Sequence, residues 1–259
     1  MSSNIRKFVF QDLHKVEGYI DPPDALVFVS IVEDQDHARM EGGLAEIGVY
    51  YGRSYFLLRK ITNLKEKVLA VDLFNIGEGG KQYRRFLDNG NLLGIPVDEN
   101  CVIRGDSTAL RPELIKEKVG QVRFFSIDGG HLFQDVVHDS RLAEQSLAPH
   151  GVIAFDDTFN PAWPEVTVAV GDFLRSSEDK LKAFCMTKYK TYVCRSEFYD
   201  FYVDVIRNSQ HLKAFRHEEV DFLGSKVLRL HNPMKRRIAY ELLSRSGMKN
   251  MSDWAYRTA

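Results

Sequence analysis

At 259 residues, with 44% hydrophobic and 27% charged residues, the chain reads as a soluble globular protein, either one large α/β domain or a domain with an appendage. A formal net charge of −1 leaves no global basic field for nucleic acid or an anionic membrane, and short basic runs such as Lys235–Arg237 read as solvated helix faces. The three isolated cysteines form no C-x-x-C pair, no run approaches the ~20 apolar residues of a membrane span, and the opening MSSNIRKFVFQDLHK lacks the apolar stretch of a signal peptide. A cytoplasmic protein without a zinc ribbon or disulfide scaffold is therefore expected.

Residues 1–40 read as helical and peripheral, covering a sheet edge or helping to close a pocket. Asp21-Pro22-Pro23-Asp24 stops one segment and starts the next, with Asp24 read as the cap of a helix carrying Leu26, Val27, Val29 and Ile31. Gly42-Gly43 breaks that pattern and Leu44–Ile47 reads as the first strand. It enters a glycine turn, EIGVYYGRS, and Ser54–Lys60 continues as a helix. Gly48 and Gly52 let backbone pass close to a ligand. Their G-x-x-x-G spacing is neither a dinucleotide fingerprint nor a phosphate loop. Free N–H groups at the helix start suit a carboxylate, and Glu46, an acid inside an apolar strand, suits a cation such as an ammonium group.

Val68–Asp72 is the second strand and also ends in acid, 26 residues after Glu46. That is close to the ~20-residue spacing at which an acid meets a ribose diol. The connection Asn75–Pro96 starts as a glycine-rich loop and contains a short helix, Gln82–Asn89; a solvated insertion and a lid over the site are both open readings. Cys101–Ser107 supplies a third strand ending at Asp106, which either caps the helix expected over Leu110–Lys118 or reaches a ligand.

Val122–Ile127 and Val152–Phe155 are short apolar runs with an amphipathic helix between them, the unit that builds parallel sheets. The first is followed by Asp128, the second by Asp156 and Asp157. In open parallel sheets, ligands collect beyond these carboxyl ends. One acid there reads as a helix cap; three, with His131 three residues after Asp128, read as a site. His138 reads as structural. In the loop Asn160–Glu165, Trp163 either stacks on a ligand ring or seals the core. Residues 196–259 include amphipathic Phe198–Ile206, a strand at Lys226–Leu230 and a helix from Met234 to Ser244, and suit an oligomer interface or a cap on the substrate side equally.

The ordered pieces EIGVYYGRS, VDLF, RGDS, IDGGH and GVIAFDDTFNPAWPEV, spread over roughly residues 15 to 195, make the chain resemble class I S-adenosylmethionine-dependent methyltransferases. Within them it is similar to the metal-dependent sugar and macrolide O-methyltransferases and the cephalosporin-hydroxylase-like group. The resemblance implies a Rossmann-like α/β fold. Its seven-stranded, mostly parallel sheet would end in an antiparallel pair, Leu181–Met186 and Thr191–Cys194, with helices on both faces. The N-terminal cover would span 1–40, the cofactor-binding core 41–195 and the C-terminal extension 196–259. Glu46, Gly48, Gly52 and Ser54 would surround the methionine part of S-adenosylmethionine, Asp72 the ribose, and Asp106 with Ser107 the adenine. Asp128, counted also among the cofactor contacts, would join Asp156 and Asp157 in holding a divalent metal. Three carboxylates suit magnesium. His131 would be the base. The implied activity is methyl transfer to a hydroxyl of a small molecule or sugar. A metal-free methyltransferase using His131 alone and a noncatalytic nucleotide-binding or interaction module remain open alternatives.

Overall fold

The computed structural model describes residues 3–63, 65–177 and 180–257. The first two and last two residues of the expected terminal segments lie outside them. Five strands run parallel: β1 (Gly43–Ile47), β2 (Val68–Asp72), β3 (Val102–Arg104), β4 (Val122–Ile127) and β5 (Leu147–Phe155). Their order is β3-β2-β1-β4-β5, so the chain reverses its winding at β1 and β4. β6 (Leu181–Met186) and β7 (Thr191–Arg195) follow, with β7 antiparallel to both β5 and β6.

The sheet does not stop at seven strands. β8 (Arg216–Phe222) and β9 (Ser225–His231) form a hairpin, and β9 adds to β6 in parallel, giving nine strands. The hairpin closes through Leu223 and Gly224, with φ of 49° and 78°, the paired positive values of a tight two-residue turn. β9 lies where a strand was expected, whereas β8 has no counterpart in the sequence reading. Its sequence RHEEVDF is charged on both sides, as an outer strand can be when neither face is fully covered.

Helices cover both faces. The first, α1 (Ser3–Lys7), leads through a π-helical turn at Phe8–Asp12 into α2 (Pro22–His37). α3 (Arg53–Ile61), α4 (Lys81–Leu92), α5 (Pro112–Val119), α6 (Phe133–Ser146), α7 (Pro164–Ser176), α8 (Tyr199–Asn208) and α9 (Met234–Arg245) complete the set. Side chains alternate across each strand, so Leu44 and Phe124 join α2, α3 and α8 in one core, while Ala45 and Phe125 join α5, α6 and α7 in the other. Among the described residues no helix is long and apolar enough to cross a membrane.

α2 corrects one sequence expectation. Its two prolines occupy the first helical positions and Asp21 precedes them, so Asp24 lies inside the first turn and does not cap the helix. Asp24 is buried instead, and its Oδ1 accepts hydrogen bonds from Thr187 Oγ1 and Tyr192 OH, each at 2.7 Å. The termini pack on one another: Phe10 stacks on Tyr256, and Arg6 pairs with Asp253 at 3.1 Å.

Candidate active site

The carboxyl ends of β1, β2, β4 and β5 open into a cavity of about 990 Å³. On the β1–β2 side it is lined by Gly48, Ser54, Asp72, Asp106 and Ser107, and on the β4–β5 side by Asp128, His131, Asp156 and Asp157. Glu46 and Gly52 are not in that lining. A Cβ at Gly52 would meet the Phe56 ring at 2.5 Å and the Phe86 ring at 2.9 Å, so this glycine serves packing. Gly48 has φ of 83°, and a Cβ there would lie 1.6 Å from the Asp128 carbonyl oxygen. It lets the ends of β1 and β4 close together and thereby places Asp128 beside the turn.

Glu46 lies under Ser54, on the face of β1 that packs against α2 and α3. It is 1% exposed, and its Oε2 has no hydrogen-bond partner among the described residues. Burial pushes its pKa up to about 7, against the pull of the Ser54 hydroxyl, Lys190 and the Ser126 hydroxyl. An orphaned acceptor behind the turn is the type of group that a ligand ammonium satisfies.

Asp72 Oδ2 accepts from Tyr50 N at 2.9 Å, and its Oδ1 from Phe74 N at 2.7 Å and Gln82 Nε2 at 3.1 Å. The strand-end acid thus ties the glycine turn to the next loop while lining the cavity. Asp106 caps the short turn Ser107–Ala109, accepting from Thr108 N at 2.9 Å and Thr108 Oγ1 at 2.7 Å, and these bonds hold its pKa below the usual range. Behind Ser107, both carboxylate oxygens of buried Asp139 are unpartnered among the described residues. Burial raises this group to about 7.

His131 and Asp157 meet at the other end. Nε2 of the ring lies 2.9 Å from Asp157 Oδ2, and Asn160 Nδ2 donates to Asp157 Oδ1 at 2.6 Å. Burial works against the Asp157 charge, but these bonds outweigh it and hold the carboxyl below its ordinary value. Asp157 takes a φ of 55°, an uncommon value for a residue with a side chain. Trp163 stacks on the His131 ring at 4.4 Å with 28° between planes, and stays partly exposed. It borders the cavity rather than sealing the core.

The expected metal set divides in two. Ligand atoms of Asp128, His131 and Asp157 all lie within 4.8 Å of one another, so these three fit a divalent ion. Asp156 pairs instead with the buried ammonium of Lys190. Burial works against the Lys190 charge, but Asp156, Asp128 and Asp24 outweigh it and push its pKa upward. Asp128 is driven the other way for an acid: burial first, then the neighbouring Asp156 charge, push it well above the usual carboxylate range.

Several lining groups lie outside the sequence reading. Lys190, Arg53, Gln82, Tyr189 and Tyr240 all face the cavity, as does the segment from Gly18 to Pro22. Arg53 Nε donates to Val16 O at 2.7 Å and Tyr240 OH meets His14 Nε2 at 2.7 Å, which draws the N-terminal segment over the opening. A lysine in a four-residue turn reads as solvent-exposed, so nothing local marked Lys190.

A family model described as a methyltransferase domain matches residues 45–158, the stretch bearing both ends of the cavity. No curated protein matches the sequence. Among solved structures, the O-methyltransferase NovP is similar with a TM-score of 0.54 at 16% identity, over 65% of this chain and 77% of that one. CalS11, a TDP-rhamnose 3′-O-methyltransferase, gives 0.50 at 17% identity, over 66% and 78%. An O-methyltransferase from Bacillus cereus in complex with SAH gives 0.52 at 15% identity, over 74% and 90%. The matched residues build the switch-point cavity, and residues 45–158 are similar to a methyltransferase domain on a fold shared with these O-methyltransferase structures.

Proposed function

We propose that the chain transfers the methyl group of S-adenosylmethionine to a hydroxyl of a small molecule or sugar, with His131 as the base. The observation that carries this reading is the His131–Asp157 hydrogen bond at 2.9 Å, at the cavity end away from Asp72 and Asp106. With Nε2–H donating to Asp157, the lone pair stays on Nδ1, ready for a proton. Asp157 fixes the ring and stabilises the imidazolium. The acceptor oxygen forms a bond to the methyl carbon as the carbon–sulfur bond breaks, its electron pair staying on sulfur. The hydroxyl proton passes to His131, and the products are a methyl ether and S-adenosylhomocysteine. Asp72, Asp106 and Ser107 hold the nucleoside and Glu46, through the turn bearing Gly48, Gly52 and Ser54, the methionine end. The structural similarity to NovP and CalS11 supports an oxygen acceptor.

A second reading is favoured by the close approach of Asp128, His131 and Asp157. A divalent ion such as Mg2+ on those residues would supply Lewis acidity toward the acceptor oxygen. His131 would then be a ligand and not the base. The two readings separate in one assay series, methyl transfer to a panel of hydroxyl compounds with and without excess chelator. Activity that survives chelation, together with a loss of ~100-fold or more in His131→Ala at unchanged cofactor affinity, is the outcome for the base. Activity abolished by chelator and restored by Mg2+ selects the metal, and full activity in His131→Ala removes the histidine from the chemistry.

A further inference from the structure

We infer that Lys190 is a built-in cation of the acid cluster, holding at Asp156 the place a divalent ion would need in order to bridge Asp128, Asp156 and Asp157. Lys190 ends the turn between β6 and β7, where Thr187 N donates to Lys190 O at 2.9 Å and Lys190 N donates to Thr187 Oγ1 at 3.1 Å. Asp24 clamps that turn from α2, accepting from Thr187 on one side of Lys190 and from Tyr192 on the other. The lysine side chain is 5% exposed, its Nζ contacts Asp156 Oδ2, and the Phe28 ring lies 6.0 Å away. A long, flexible side chain is thus held at both backbone ends and given one direction, inward.

The chemistry follows from what an ammonium is. It carries three donors and no lone pair, so it satisfies a carboxylate but ligates no metal. Asp156 Oδ2 is already used, and a fixed positive charge beside it repels a divalent ion. Three acids drawn together at strand ends need a cation, and here the chain supplies one of its own. Lys190 is on this view a positioning residue: it engages Asp156 Oδ2, while Asp157 Oδ2 is left to His131. Lys190 belongs to the site proposed for methyl transfer, and metal occupancy is read without any acceptor, so a failed transfer reading and a failed lysine reading give different results.

The test is Mn2+ binding to the wild type and to Lys190→Ala, followed by calorimetry and located by anomalous scattering from Mn2+-soaked crystals. In the wild type, Mn2+ does not bond to Asp156, whether or not it occupies Asp128, His131 and Asp157. In Lys190→Ala it binds between Asp128, Asp156 and Asp157, at least about tenfold more tightly than to the wild type. Mn2+ on Asp156 of the wild type with the lysine swung aside would overturn the inference, and so would a Lys190→Ala cluster that leaves Asp156 without Mn2+. Should Lys190→Ala not fold, Lys190→Met takes its place, and the wild-type soak alone still reads whether Asp156 is a ligand.

Discussion

Asp139 shows how a residue away from the proton-transfer pair carries a measurable signature. Its carboxyl is buried on α6 beside Ser107, and burial outweighs the pull of the Ser107 hydroxyl and raises it to about 7 from 3.8. Between those values the unfolded chain has lost the proton while the folded chain keeps it. Stability therefore falls as pH rises through that window and levels off above about 7. Asp139→Asn removes the ionisation, so urea unfolding at pH 4.5 and pH 7.5 should show the variant gaining about 2–4 kcal/mol on the wild type between the two. An unchanged difference would mean that Asp139 ionises freely in the folded protein. The contrast with Lys190 explains what a sequence discloses. The place of Asp128, Asp156 and Asp157 in the cavity was legible because acids directly after apolar strands have one place to go, and that of His131 because it follows Asp128 by three residues. Lys190 was not, since its inward direction comes from the Asp24 clamp, a contact across more than 160 residues.

β1 and β4 meet more closely than any side chain allows, and Gly48 is where they do so. Gly48→Ala should cost about 3 kcal/mol or more, combining overlap with the Asp128 backbone and a strained positive φ. Chemical denaturation checks this, and a loss under 1 kcal/mol would mean the strand ends separate easily. The loop after β2 is a softer element. Gly77, Gly79 and Gly80 all take positive φ, and Asn75 and Ile76 border the cavity. Hydrogen exchange over residues 75–80 should slow on adding S-adenosylhomocysteine, because ligand contacts must offset the entropy of ordering the glycines. Exchange that is already slow without ligand would make the loop a fixed wall. The continuous apolar runs of β4 and β5 were legible in advance, and the β6–β7 pair was expected from the family resemblance. β8 was not: its residues are held by pairing to β9 rather than by a buried face, and a charged strand carries no hydropathic signal.

The cavity is shared between two parts of the chain. Residues 45–158, matched to the methyltransferase family, bring the strand-end acids and the glycine turn. His14, Tyr19 and Pro22 from the N-terminal segment, Tyr189 and Lys190 from the β6–β7 turn and Tyr240 from α9 close the remaining sides. The family-matched part carries the residues proposed for the cofactor, and the outer parts add the aromatic residues Tyr19, Tyr189 and Tyr240 to the lining. The most direct measurement is calorimetric titration of S-adenosylhomocysteine into the wild type and Asp72→Asn, with the variant's fold verified by circular dichroism. The wild type should bind without any acceptor, and Asp72→Asn should bind at least about tenfold more weakly, as a lost charge-assisted hydrogen bond of about 1.5–3 kcal/mol requires. Equal affinity in the two would remove Asp72 from the nucleoside, and no binding to the wild type at millimolar ligand would contradict the assignment of this cavity to the cofactor.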